Sequence, residues 1–231
     1  MLLAIDTSTR NAGIALVNGE GHVLRLVQWR SQQNHSVELL PAIQAMLAAE
    51  STEVRHLAGI AVALGPGRFS ALRVGISVAK GLAAAWALPV VAAGTLECEA
   101  HPFRAAGLPV AAVLDAGRGE LAWALFKETD GRFQQDAPEE IAPPEQLLLR
   151  LPSPVLLCGE ALHDHGPAIA EAAASVSRDV RLAAPYLPGL RISSLAHLGH
   201  TRLASGASQE TATLQPAYLR RPTITEPGRP A

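Results

Sequence analysis

The sequence predicts an α/β chain of two related subdomains, each a mixed sheet with helices. Three observations point there. Apolar runs and helical patterns follow one another as β-β-β-α-β-α-β over the first hundred residues. A strand ending in aspartate, then a polar turn and a return strand, occurs at the start and again from residue 110. The 231 residues, 48% hydrophobic and 17% charged, suffice for one large domain or two small ones. A chain of that size buries about 70% of the surface its unfolded form exposes, and with this composition it reads as globular rather than disordered.

Leu2-Leu3-Ala4-Ile5 is an uninterrupted apolar strand that ends at Asp6, and a polar turn over residues 7–11 leads to a second strand at 13–17. Asn18-Gly19 is a strong hairpin signal, so residues 22–28 form a third strand. A helix is expected over residues 36–50 and a buried strand over 59–64. The turn Gly65-Pro66-Gly67 then opens a long helix over 70–86, and residues 89–92 return to the sheet.

The second half restarts in the same way. A buried strand over residues 110–114 ends at Asp115, residues 116–119 turn, and 120–127 return. Leu3-Ala-Ile-Asp6 with Gly13-Ile-Ala-Leu16 matches Ala112-Val-Leu-Asp115 with Leu121-Ala-Trp-Ala124, although strand–Asp–turn–strand is also a common hairpin. Further elements are expected as helices over 143–151, 161–176 and 193–205, with a strand over 155–158. The resulting division is residues 1–104, residues 105–224 and a disordered proline-containing tail over 225–231.

A formal net charge of −2 leaves no global electrostatic footprint for nucleic acid, so any RNA contact is local or made by a partner. Cys98 and Cys158 stand too far apart for metal-type spacing, and the start of the chain lacks the basic region of a secretory leader. The longest apolar stretch, residues 82–96, is broken by Pro89 and Gly94 and is too short for a bilayer. A cytoplasmic protein with reduced thiols and no membrane partner is expected.

An aspartate at the end of a first sheet strand points toward the cleft where α/β sheets bind ligands, so Asp6 and Asp115 are candidates for flanking a nucleotide. Turns of this kind donate backbone N–H groups to phosphate, and the carboxylate holds water or Mg²⁺. Gly65, Gly67, Ser70 as helix N-cap, and Arg73 make a candidate anion site at the next helix start. Neither nucleotide fingerprint, G-x-x-x-x-G-K-[ST] nor G-x-G-x-x-G, is present.

Along that helix Ala71, Gly75, Ala79 and Ala83 form a small-residue stripe, with Leu72, Ile76 and Leu82 beside it. Interior Gly75 and Gly81 each cost about 1 kcal/mol, which close approach of another helix would offset. That other helix lies in this chain or in a second subunit. The helix over 36–50, with Leu39, Leu40, Ile43, Met46 and Leu47, has an apolar face wider than one core contact needs. The two helices together are expected to form a partner interface of His35, Ser36, Leu39, Leu40, Ile43, Leu72, Gly75, Ala79 and Leu82. On that expectation Gly75→Arg abolishes partner binding and leaves the monomer folded. No histidine pair has metal-motif spacing, no G-x-S-x-G elbow occurs, and no catalytic set is found.

These residues resemble the TsaB (YeaZ) family, accessory subunits in threonylcarbamoyladenosine modification of tRNA. The matching stretches are Leu3-Ala-Ile-Asp-Thr-Ser8, His35-Ser36 with Leu39-Leu-Pro41, Gly65-Pro-Gly67 through Leu72-Arg-Val-Gly75, Ala79-Lys-Gly-Leu-Ala83, Asp115-Ala116 with Glu120, and Pro216-Ala-Tyr-Leu-Arg220. The resemblance implies a two-subdomain actin-like/sugar kinase-like ATPase (ASKHA) fold. It also implies a TsaD-type catalytic paralogue, packed on the helices of the N-terminal half, and a TsaE-type ATPase. The modified adenosine lies next to the anticodon in tRNAs reading A-starting codons.

By the same resemblance only His35 remains of the paralogue's paired-histidine metal motif, so no metal or cofactor is expected for this chain alone, with ATP/ADP and Mg in the complex. In the partner's absence both a monomer and a homodimer stay open, and tRNA is expected to be reached only through the complex. Arg68, Ser70 and Ala71 depart from the family's Ser, Thr and Gly, and Asp-Ala-Arg becomes Asp115-Ala116-Gly117 with Arg118 following. The expected function is a non-catalytic subunit that binds and activates the transferase. The alternative is an active small-molecule kinase or ATPase of the same fold, and a metalloprotease stands last.

Overall fold

The computed structural model describes residues 1–32 and 34–220, so the expected tail over 225–231 lies outside the described residues. Two mixed sheets carry the chain. The first contains β1 (Leu2–Asp6), β2 (Asn11–Val17), β3 (Val23–Arg30), β4 (Gly59–Ala63) and β5 (Val90–Ala93) in the order β3-β2-β1-β4-β5. β1 pairs antiparallel with β2 and parallel with β4. The second contains β6 (Val110–Gly117), β7 (Glu120–Thr129), β8 (Arg132–Gln135), β10 (Val155–Cys158) and β11 (Val180–Leu182), with β9 (Glu140–Ala142) paired to β7. Its order, β8-β7-β6-β10-β11, repeats the first sheet strand for strand, with antiparallel β6–β7 and parallel β6–β10.

The sequence repeat is therefore a fold repeat, and it extends to the turns. Asp6 Oδ1 accepts the Ser8 N–H at 2.8 Å, and Asp115 Oδ1 accepts the Gly117 N–H at 2.9 Å. The parallel partners of β1 and β6 are each followed within two residues by a glycine with φ of +114°, Gly65 after β4 and Gly159 after β10. A side chain at Gly159 would meet the Val113 carbonyl oxygen at 2.3 Å, so glycine is the residue that fits there.

Among the described residues six α-helices cover the sheets: α1 (His35–Ala49), α2 (Phe69–Trp86), α3 (Thr95–Ala100), α4 (Pro144–Arg150), α5 (Leu162–Ser175) and α6 (Gly189–Ala204). β1 shows why its run is apolar throughout. Leu3 and Ile5 face α1 and α2, while Leu2 and Ala4 face Ile192, Leu195 and Ala196 of α6. In the second sheet Ala111 and Val113 face α4 and α5, and Val110 and Ala112 face Leu96 and Ala100 of α3. Each half thus lends its third helix to the other half's sheet, and α6, although it follows residue 104, packs on the first sheet. The contact is tight: a Cβ at Gly199 would stand 2.4 Å from the Ala61 Cβ.

The expected elements appear with boundaries shifted by at most four residues, and α3, β8, β9, β11 and two short 3-10 turns at Val54–His56 and His101–Phe103 are added among the described residues. α3, β8, β9 and β11 have six residues or fewer, too short for an apolar period to register. α2 starts at Phe69 with Arg68 as its N-cap, so the N-cap expected at Ser70 lies inside the helix, on an exposed side. α6 begins at Gly189, a turn earlier than residue 193, and that extra turn carries Arg191. No helix among the described residues is long and apolar enough to cross a membrane. Cys98 and Cys158 are free and buried.

Candidate functional site

Arg191 organises the ground between the two sheets, and it is 1% exposed. Its Nε donates to Asp6 Oδ2 at 2.6 Å, and Nη1 donates to Glu160 Oε2 at 2.7 Å and Glu99 Oε1 at 3.0 Å. Nη2 donates to Thr9 Oγ1 at 2.8 Å and to the Asn11 carbonyl at 2.5 Å, while Tyr186 Oη lies 3.4 Å from Nη1. Thr9 in turn donates to Glu160 at 2.6 Å. The first β-turn, α3, the start of α5 and α6 are thereby tied through one guanidinium, whose planar fork suits several acceptors at once.

Burial drives Glu99 up to about 7, against the pull of Arg191, and raises Glu139 to about 7 with help from Glu97. The folded chain then holds protons that the unfolded chain releases above about pH 4.5. The stability from these groups is complete below the unfolded value and is lost as pH rises through about 7. Urea melts between pH 4.5 and 8 should show this decline, and Glu99→Gln should reduce it to the part that Glu139 contributes. An unchanged slope in the variant would mean that Glu99 is ionised in the fold.

Asp6 and Asp115 occupy equivalent strand ends but not equivalent surroundings. Asp6 is 1% exposed, with Oδ2 on Arg191 and Oδ1 on the Ser8 amide and hydroxyl. Asp115 is exposed, 3.9 Å from His165 Nε2. A carboxylate already paired with a buried guanidinium does not fit the role of Mg²⁺ or water holder offered by the sequence, and no step through a nucleotide is derived from it.

The glycine loop packs closely on other backbone. A Cβ at Gly67 would stand 2.3 Å from the Ser8 carbonyl oxygen, and one at Gly65 would stand 2.8 Å from that of Ala217. The absence of side chains here lets the loop pack directly on protein carbonyls. Arg73 lies 3.9 Å over the Phe69 ring and donates to Tyr218 Oη at 3.0 Å, so it fastens the C-terminal segment to α2.

Of the residues expected at a partner interface, most face inward. Leu39, Ile43, Leu72 and Ala79 are buried in the first core, and His35 is buried against the Thr9 carbonyl at 3.0 Å and the Ser31 hydroxyl at 3.3 Å. The nearest neighbour of Gly75 is Thr7, at the end of β1, rather than a second helix. The Thr7 hydroxyl donates to the Ala71 carbonyl at 2.7 Å and accepts the Gly75 N–H at 3.2 Å, and a Cβ at Gly75 would stand 2.4 Å from it. The wide apolar face of α1 serves the chain's own sheet. Exposed on that layer are Ser36, Val37 at 65% and Leu40 at 44%, with Leu82 half-buried.

Arg191, Glu99, Glu160 and Tyr186 were not singled out in the sequence. The available signal was Arg191 on the apolar spacing of Ile192, Leu195, Ala196 and Gly199, a charged residue on a face otherwise reserved for the core.

Two sheets of the same strand order with exchanged third helices define a two-lobed protein of the actin-like, sugar-kinase-like (ASKHA) fold. A ROK family protein from Streptococcus pneumoniae shares it at a TM-score of 0.52 and 12% identity, covering 89% of this chain and 99% of that one. Residues 29–213 match the family model described as TsaD, tRNA N6-adenosine threonylcarbamoyltransferase. The chain is 31% identical to the tRNA threonylcarbamoyladenosine biosynthesis protein TsaB of Bacillus subtilis, over 95% of this chain and 93% of that protein. The solved YeaZ from Pseudomonas aeruginosa matches at a TM-score of 0.72 and 30% identity, covering 94% and 99%. The chain belongs to the TsaB (YeaZ) family.

Proposed function

We propose that this chain is a non-catalytic subunit that binds and activates a TsaD-type transferase in threonylcarbamoylation of tRNA, in the cytoplasm. The near end-to-end match to a TsaB protein carries this reading. The filled centre between the sheets supports it: Arg191 takes the carboxylate that a kinase of this fold would need free, so the kinase alternative draws no support. In the proposed complex a TsaE-type ATPase, ATP or ADP and Mg²⁺ enter with the partners, tRNA is bound by the assembly, and a homodimer replaces it when the paralogue is absent. The two lobes divide near residue 104.

The partner surface is assigned to the outer side of α1 and α2, with Ser36, Val37 and Leu40 exposed and Leu82 at its edge. Exposed valine and leucine side by side on one helix are suited to burial against an apolar helix face. The test is threonylcarbamoyl transfer to tRNA by the same organism's TsaD-type protein, with the TsaE-type ATPase and the activated donor, with and without this chain. Transfer should require the chain, and equal transfer without it overturns the proposal. Leu40→Arg should keep the monomer's melting temperature and weaken binding of the TsaD-type protein by about tenfold or more. Unchanged binding would remove α1 from the interface.

A further inference from the structure

Arg10, in the turn between β1 and β2, and Arg30, at the end of β3, stand outside the internal ion pairs. With Ser31 and Gln32 they line an open pocket of about 390 Å³. Among the described residues neither guanidinium lies within ion-pair distance of a carboxylate, whereas Arg25, Arg150, Arg191, Arg202 and Arg220 each do. The Arg10 Nε is buried and has no hydrogen-bond partner among the described residues. A buried charged donor without an acceptor is costly and calls for one.

Hydrogen bonds tie the frame around the pair together. The Ser31 N–H donates to the Arg10 carbonyl at 2.7 Å, and the Ser31 hydroxyl lies 3.3 Å from His35 Nδ1, whose ring is anchored to the Thr9 carbonyl. Asp164 senses the charge of Arg30, but its carboxylate is engaged by His163 at 2.7 Å. Two guanidinium groups and two neutral polar side chains around a pocket at the small end of ligand sites select a compact dianion over an apolar molecule.

We propose that this pocket takes a phosphate group, carried either by a small phosphorylated molecule such as a nucleotide or by an RNA backbone. The site is separate from the Asp6–Arg191 centre and does not rest on the TsaD-activation reading, which the transfer assay tests by itself.

The experiment titrates the full chain with pyrophosphate and with metal-free ATP by calorimetry, and with unmodified tRNA by filter binding. Arg10→Gln and Arg30→Gln are compared in parallel, with thermal melts as the control for folding. At least one probe should bind, and each substitution should weaken it by about tenfold or more. If tRNA is the probe that binds, the dependence of log K on log salt should fall by roughly one for each arginine removed. Variant-sensitive binding of pyrophosphate or ATP assigns a small-molecule source, and variant-sensitive binding of tRNA alone assigns the RNA backbone. If Arg10→Gln melts early, the exposed Arg30→Gln decides. No binding of any probe, or binding that both substitutions leave unchanged, overturns the proposal.

Discussion

Arg191→Met is expected to cost about 3–5 kcal/mol of folding stability, because it leaves buried carboxylates without their counter-charge. Asp6 would keep only its Ser8 contacts, and Glu160 only Thr9. Against a total stability of about 5–15 kcal/mol that is a large fraction, and much of the variant should be unfolded well below the wild-type midpoint. Arg191→Lys retains the charge but cannot spread it over acceptors at Asp6, Glu99, Glu160, Thr9 and Asn11, so it should recover only part of the loss. Adding Glu160→Gln to Arg191→Met should restore stability relative to the single variant, since the amide carries no charge to strand. Urea denaturation at pH 7 measures all three. A wild-type midpoint for Arg191→Met would show that these carboxylates are solvated or protonated rather than paired.

Gly75→Arg should lose the folded monomer, not only the partner. A bare Cβ already meets the Thr7 hydroxyl at 2.4 Å, at the point where that hydroxyl links the Ala71 carbonyl to the Gly75 N–H. An arginine has to push the β1–β2 turn off α2 and carry a charge into a core lined by Leu72, Ile76 and Ala79. Overpacking and an unpaired buried charge together place the loss above about 4 kcal/mol. Circular dichroism and a thermal melt of the purified variant decide the matter. A cooperative melt at the wild-type temperature would return Gly75 to the surface and restore it as an interface residue. The exposed Leu40 is the position where an arginine probes partner binding without this ambiguity.

The difference between these two sites shows where sequence periodicity stops carrying information. The stripe Ala71, Gly75, Ala79 and Ala83 has helical spacing and small side chains, and both were legible. A small apolar stripe looks the same whether it meets its own sheet or a second subunit. The Thr7 hydroxyl that settles it lies 68 residues away in the chain. His35 likewise reads as a surface residue at a helix start, yet folding turns it onto the Thr9 carbonyl.

What the sequence alone determined is the order of the larger elements, the repeat of strand, aspartate and turn in two halves, and membership of the TsaB family. Those features are local or linear: apolar runs, a turn dipeptide, the Gly-Pro-Gly block before Leu72-Arg-Val-Gly75. Only the tertiary structure decided that each half lends its last helix to the other's sheet, and that Arg191 closes the centre. Asp6, Asn11, Glu99, Glu160 and Arg191 come from distant parts of the chain, and no period of two or 3.6 residues joins them. Their meeting is set by electrostatics in the buried interior, where a carboxylate must find a cation and a guanidinium must find acceptors before either can leave water.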